Sequence, residues 1–245
     1  MSGIRNIVIL TGAGISAESG ILTFRSKGQV TYWDYTDSDG ARQSHRVEDV
    51  CTPEAFARDP GLVQAFYDAR RAALSGVAPN AAHDALARLD AEWRGDLLIV
   101  TQNVDDLHER AGARRLLHMH GELKSAWCRA CDRRMPWAAD LGDGPVCPEC
   151  RRAGGLRPDI VWFGEMPYGM DVIDRAVSRA DLFVSIGTSG AVYPAAGFVQ
   201  TAKYHGAATL ELNLEPSAGS WLFEETRLGA ASALVPAWVN EVLGG

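Results

Sequence analysis

Asn6-Ile7-Val8-Ile9-Leu10-Thr11-Gly12-Ala13-Gly14-Ile15-Ser16-Ala17-Glu18-Ser19-Gly20 is the stretch that decides the fold. Its four consecutive aliphatic residues, Ile7–Leu10, have the length of a strand buried on both faces. They run directly into Gly12-x-Gly14-x-x-Ala17, the G-x-G-x-x-G/A spacing found where a strand turns into a helix facing a pyrophosphate. Glycine lets the backbone approach such a ligand, and the helix N-terminus offers N–H donors. A plain tight turn fits the same spacing.

Outward from this point, apolar runs alternate with helix-like segments. Strands are expected at Asn6–Thr11, Asp96–Thr101, Asp159–Phe163, Asp181–Ile186 and Thr209–Leu214. Helices are expected at Gly61–Leu74, at Ala81–Trp93 behind an Asn80 cap, and at Met170–Arg179. That rhythm predicts an α/β fold, a Rossmann-like doubly wound parallel sheet. Two stretches break it. Ser26–Ser44 is polar and aperiodic and reads as a long loop. Glu122 to about Arg157 carries two C-x-x-C pairs around a Pro/Gly-rich middle. The expected division is therefore 1–25, 80–121 and 157–245 for the nucleotide-binding domain. Residues 26–79 and 122–156 then form a smaller inserted helical and zinc-binding lobe.

Cys128, Cys131, Cys147 and Cys150 have fifteen residues between the two pairs, the spacing of a zinc ribbon. Four thiolates close a tetrahedral shell and leave no place for a catalytic water, so the metal is expected to be structural. The stretch Met1–Arg5 lacks a basic start followed by an apolar run, and the apolar runs are strand-sized. The expectation is a cytoplasmic protein without a membrane span. A net charge of −7 argues against nucleic acid as the main partner and suits basic peptide segments, with solubility alone an equal explanation. Arg129, Arg133, Arg134, Arg151 and Arg152 leave a nucleic-acid-binding ribbon as an alternative, against a solvated basic face.

A dehydrogenase would carry a strand ending in an acidic residue about twenty positions past the glycines, to grip a ribose. Here that place holds Tyr32-Trp33-Asp34-Tyr35, with no apolar strand leading to it. Nucleotide binding without hydride transfer is the reading that remains.

Several further segments then acquire meaning together. Gly12 through Thr23-Phe24-Arg25, Gln102-Asn103-Val104-Asp105, His118-Met119-His120-Gly121, the paired cysteines, Val161-Trp162-Phe163-Gly164-Glu165, Gly187-Thr188-Ser189 and Asn213-Leu214-Glu215 follow one another in a fixed order. In that order, from Ile7 to about Val239, the chain resembles the sirtuins, and within them the bacterial class III branch. The resemblance implies NAD cleavage rather than redox chemistry, giving nicotinamide, O-acyl-ADP-ribose and free lysine. It implies that His120, immediately before the glycine, is the catalytic base, with Asn103 and Asp105 ordering ribose, water and the nicotinamide amide. An unperturbed imidazole suits proton removal near neutrality.

By the same resemblance, NAD is held by Gly12, Ala13, Gly14, Ile15, Ala17, Glu18, Thr23, Phe24, Arg25, Gln102, Asn103, Val104 and Asp105. Gly187, Thr188, Ser189, Asn213, Leu214, Glu215 and Ala231 complete its adenosine half. Val161, Phe163, Gly164 and Glu165 would take the acyl-lysine peptide by strand addition; an ordinary buried strand is the alternative. Tyr67 and Arg70, at i and i+3 of the expected helix, match a class III motif for acidic acyl groups, where a guanidinium fork and a phenol clasp a carboxylate. The expected activity covers acetyl and also succinyl and malonyl groups, by a monomer. Departures from the family pattern are Leu22 in place of proline, the longer Ser26–Ser44 stretch, and Cys51 where class III members carry alanine.

Overall fold

A computed structural model describes residues 3–21, 32–36 and 41–244. Its strands, in chain order, are β1 (Asn6–Thr11), β2 (Tyr32–Thr36), β3 (Arg42–Arg46), β4 (Asp96–Thr101), β5 (Leu116–His118), β6 (Gly121–Cys128), β7 (Arg134–Pro136), β8 (Leu156–Ile160), β9 (Leu182–Ile186), β10 (Ala208–Asn213) and β11 (Glu225–Leu228). The chain divides into two compact units. One comprises Met1–Thr23, Val77–Met119 and Tyr168–Gly245, the other Phe24–Gly76 and His120–Pro167.

The first unit is a six-stranded, all-parallel sheet in the order β11-β10-β9-β1-β4-β5. Alternate residues of each strand point to opposite faces, and helices cover both. Ile7, Ile9, Ile99, Val184 and Leu212 pack with Leu86 and Leu89 of helix Ala81–Glu92 and with Trp238 and Val239 of helix Ala231–Gly244. Val8, Leu10, Val100 and Phe183 pack on the other side with Ile173 and Val177 of helix Met170–Val177 and with Phe198 and Ala202 of helix Phe198–Tyr204. Each such Val, Leu, Ile or Phe side chain contributes about 1.5–3 kcal/mol on burial, which is why the apolar runs are continuous. The chain leaves β1 toward β4 and β5 on one side, then crosses to β9, β10 and β11 on the other. The carboxyl ends of β1 and β9 thus form the topological switch point where ligands of such sheets gather.

Most expected elements occur within a residue or two of their expected bounds, the usual scatter of helix and strand ends. Asn80 caps its helix as expected: its Oδ1 accepts Ala82 N–H at 2.9 Å, and its own N–H donates to His83 Nδ1 at 3.3 Å.

Two expectations are corrected. The strand read at Asp159–Phe163 does not join the parallel sheet; β8 starts earlier and pairs antiparallel with β6, in the sheet order β7-β6-β8. Pro158 cannot donate to a ladder and is tolerated because β8 is an edge strand. Beyond Ile160 the backbone turns, with Glu165 N–H donating to Trp162 O at 2.9 Å. The boundary read at residue 157 falls within β8, while the second compact unit runs on to Pro167. The stretch Ser26–Ser44 is also not loop throughout. Within it β2 pairs antiparallel with β3, Tyr32 opposite Arg46 and Asp34 opposite Ser44. Trp33 packs edge-on to Phe66, with ring centroids 5.2 Å apart, and faces His45 of β3 at 6.4 Å. The partner strand, Arg42-Gln43-Ser44-His45-Arg46, has no apolar alternation, so periodicity cannot reveal it. Since β2 stands outside the parallel sheet, the argument against a dehydrogenase stands. The remainder of the stretch lies outside the described residues.

Candidate active site and cysteine cluster

At the switch point three strand ends interlock. Gly12 N–H donates to Ile186 O at 3.0 Å, Gly14 N–H to Gly187 O at 2.8 Å, and Gly187 N–H to Leu212 O at 3.0 Å. A Cβ on Gly12 would lie 2.8 Å from Gly187 O, and one on Gly14 would lie 2.7 Å from Gly187 Cα. The two glycines are thus demanded by packing of the first loop on the third, whatever ligand the loop faces. Beside them, Thr188 Oγ1 and Ser185 Oγ are 2.9 Å apart, and Asn213 Nδ2 donates to Thr188 O at 2.8 Å. Leu214 and Glu215 follow, exposed, past the end of β10. Glu18 faces the start of helix Ala231–Gly244, accepting Ser232 N–H at 3.0 Å and the Ser232 hydroxyl. Those bonds hold its carboxyl below the usual range. Glu18 and Ala231 are therefore brought together, with the Glu18 carboxylate capping the helix.

Beneath this edge lies a buried polar cluster. Asn103 is fixed on three sides: its N–H donates to Thr101 Oγ1 at 3.1 Å, its Nδ2 to Ser16 Oγ at 3.0 Å, and its carbonyl receives His118 Nδ1 at 3.0 Å. Asp105 is 5% exposed and accepts Leu107 N–H at 3.1 Å. Burial raises its carboxyl pKa, although hydrogen bonds from Leu107 and Ser16 and the nearby His118 pull the other way. Ser16 Oγ also lies 3.4 Å from His83 Nε2, and Thr11 Oγ1 lies 3.0 Å from His108 Nε2. The two histidine rings meet edge to face at 5.0 Å. Burial pushes His83 down to about 4 and, with the two neighbouring histidines, His108 down to about 3. Both are neutral at physiological pH and serve as hydrogen-bonding struts.

Among the two histidines flanking Met119, His118 is committed. Its second ring nitrogen lies 2.6 Å from Glu109 Oε1, so carbonyl and carboxylate acceptors face both nitrogens. His120 is half-buried and heads the second unit. Its carbonyl accepts Val161 N–H at 2.9 Å. The next residue must be glycine: Gly121 has φ +81°, and a Cβ there would fall 2.0 Å from Asp159 O. Chain direction after His120 is thereby set by β8.

In the second unit the four cysteine sulfurs all lie within 4.8 Å of one another. Cys128 Sγ is 3.7 Å from Cys150 Sγ, and Cys131 Sγ is 3.9 Å from Cys147 Sγ. A disulfide needs about 2.05 Å. A tetrahedron with Zn–S bonds of about 2.3 Å has edges of about 3.8 Å. The donor set and its spacing fit a structural zinc.

Tyr67 and Arg70 both lie on helix Pro60–Ala73, capped by Asp59 Oδ1, which accepts Leu62 N–H at 2.9 Å. Tyr67 is 2% exposed and Arg70 half-buried. The Tyr67 hydroxyl accepts Trp162 Nε1–H at 3.0 Å and donates to Cys51 Sγ at 3.3 Å. Burial pushes its pKa well above 10. Phe163 is 47% exposed, and its N–H donates to Cys51 O at 3.0 Å. The Glu165 side chain is engaged within the second unit. Its two oxygens accept Arg157 Nη1 and Nη2 at 2.8 and 2.9 Å, and one also accepts Trp162 N–H at 2.9 Å. Arg157 in turn stacks on the Trp162 ring at 3.4 Å and the Trp127 ring at 5.0 Å. Burial would raise the Glu165 carboxyl, but Arg157 and the Trp162 amide outweigh it and hold it below the ordinary value.

Sequence reasoning missed Ser16, His83, His108, Arg157 and Trp162 as members of these networks. Ser16 sits inside the glycine stretch and Trp162 inside Val161–Glu165, both usable signals; His83, His108 and Arg157 reveal themselves only through their contacts in the fold. Thr23, Phe24 and Arg25 lie outside the described residues.

The model of the Sir2 family matches residues 12–194. An NAD-dependent protein deacylase of Caulobacter vibrioides is 53% identical over 246 residues, covering 99% of both chains. The NAD-dependent protein deacylase SIR2rp3 of Leishmania major is 55% identical over 248 residues, covering 99% of this chain and 98% of its own. Among solved structures, a Sir2 homolog–NAD complex superimposes with a TM-score of 0.84 at 36% identity, covering 98% of this chain and 90% of that one. With a buried polar floor at the sheet's switch point, a closed four-cysteine cluster and full-length likeness to these relatives, the chain belongs to the Sir2 family.

Proposed function

We propose that this protein removes acyl groups from protein lysines with NAD as co-substrate, and that its acyl pocket accepts succinyl and malonyl as well as acetyl groups. The observation that carries the deacylase reading is 53% identity over 99% of both chains with a relative bearing that activity. The buried donors and acceptors at the carboxyl ends of β1 and β4 support it, because their chemistry suits a ribose and an amide.

Gly12, Ala13, Gly14, Ile15 and Ala17 would hold the phosphates, with Gln102–Asp105 toward the nicotinamide ribose. Gly187, Thr188, Ser189 and Asn213 would hold the adenosine half, with Leu214, Glu215 and Ala231 beside them. NAD when bound supplies an electrophilic ribose carbon and nicotinamide as the leaving group. Thr101 and His118 hold the Asn103 backbone, and Ser16 accepts its side-chain Nδ2–H, which turns the amide oxygen toward the other side. Asp105, raised by burial, is suited to exchange a hydrogen bond with an amide. His120, which immediately precedes Gly121 as the family's base does, is the base that takes a hydroxyl proton at a ring nitrogen. Val161, Phe163 and Gly164 would meet the peptide backbone, and Arg70 with Tyr67 a distal carboxylate. Glu165 serves this segment by anchoring it to Arg157.

No helix among the described residues is long and apolar enough to cross a membrane. We read the protein as a cytoplasmic monomer without a nucleic-acid partner, in keeping with its net charge of −7. Mass spectrometry of acetyl-, succinyl- and malonyl-lysine peptides, with and without NAD, tests the function. Free lysine should form only with NAD and in step with nicotinamide, whereas product without NAD would overturn it.

A further inference from the structure

Cys51 stands apart from the four-cysteine cluster and is 8% exposed. Its main-chain oxygen accepts Phe163 N–H at 3.0 Å. Thr52 beside it caps helix Pro53–Arg58, Oγ1 accepting Ala55 N–H at 3.0 Å. The backbone thus fixes where the thiol points from, and it meets the Tyr67 hydroxyl at 3.3 Å. That hydroxyl has one proton to give. Trp162 Nε1–H already occupies a lone pair on the oxygen, and the proton is directed at Cys51 Sγ. The tyrosine ring is held edge-on to Phe66 at 4.9 Å and is 2% exposed. What can change readily is the direction of the O–H bond.

We propose that Cys51 determines acyl specificity through Tyr67: the thiol holds the phenolic proton, and an acidic acyl group must draw that proton away from sulfur. Sulfur is a weak acceptor and a carboxylate a strong one, so the exchange is favourable but discounted by the bond given up. An acetyl group has no carboxylate and leaves the Tyr67–Cys51 bond intact. The cysteine therefore narrows the preference for acidic over neutral acyl groups. The proposal rests on the acidic-acyl reading given above.

The test compares parent, Cys51→Ala and Cys51→Ser, each with Tyr67 and with Tyr67→Phe, on matched succinyl- and acetyl-lysine peptides with NAD, reading kcat and KM separately. Cys51→Ala should raise the succinyl-to-acetyl ratio of kcat/KM by about two- to tenfold, the effect of releasing one modest hydrogen bond. Cys51→Ser keeps an acceptor, is slightly smaller than cysteine, and should hold the ratio at or below the parent value. In the Tyr67→Phe background the gain from Cys51→Ala should vanish. An unchanged ratio in Cys51→Ala, a Cys51→Ser ratio equal to that of Cys51→Ala, or a gain that survives Tyr67→Phe would each overturn the proposal. Arg70→Met separates the two layers. A selective loss on succinyl-lysine with a flat Cys51→Ala removes this proposal alone. An equal loss on both peptides removes the acidic-acyl reading and this proposal with it.

Discussion

Replacing Glu165 with Gln removes one charge from a pair whose other member is sealed inside the second unit. The Arg157 side chain is 4% exposed and the Glu165 side chain 26%. Breaking a buried pair by neutralising one partner costs about 3–5 kcal/mol, because the remaining charge is left without its counter-ion. Partial exposure of Glu165 lets water recover some of that, so the lower end, about 3 kcal/mol, is expected. At about 2–4 °C per kcal/mol for a chain of this size, the melting temperature should fall by roughly 6–12 °C. The pH dependence adds a sign. Glu165 has a folded pKa below its unfolded value. Its contribution is therefore present above the unfolded carboxylate range, near pH 4.3, and is lost as pH falls through the folded pKa. The gap between parent and Glu165→Gln in calorimetric melts should be full at pH 7 and should shrink as the pH drops below about 4. A variant that melts within about 2 °C of the parent at pH 7, while losing peptide affinity, would refute the reasoning and return Glu165 to the substrate.

Three further outcomes are expected. His120→Ala should abolish turnover while NAD still binds by calorimetric titration; normal turnover would show that another group is the base. Purified protein should carry one zinc per chain by metal analysis, and Cys147→Ser should lose it and destabilise the second unit, so a folded, zinc-loaded variant would contradict the four-thiolate site. Arg70→Met and Tyr67→Phe should each lower kcat/KM on succinyl-lysine by about ten- to hundredfold, as removal of a charge-assisted bond implies, with acetyl-lysine far less affected.

The sequence by itself determined the parallel sheet and the ordering of the site around it. Ile7–Leu10 and Leu97–Val100 must be buried on both faces, and that requirement is local. The cysteine spacing likewise carries its own geometry, and Asn80 announces its helix by cap chemistry. Only the tertiary structure decided the rest. Gly12 and Gly14 are required by the backbone of Gly187, far away in the chain, as much as by any ligand. A polar strand such as Arg42–Arg46 has no periodic signal, and its pairing with Tyr32–Thr36 rests on a backbone ladder that side-chain periodicity does not report. The hydrogen bonds of His118 were decided by Glu109 and Asn103, and the anchoring of Glu165 by Arg157. Hydrogen bonds and ion pairs are directional and short, so their partners are chosen by where the folded backbone delivers them. Burial of apolar surface is neither directional nor pairwise, and for that reason it can be read one residue at a time.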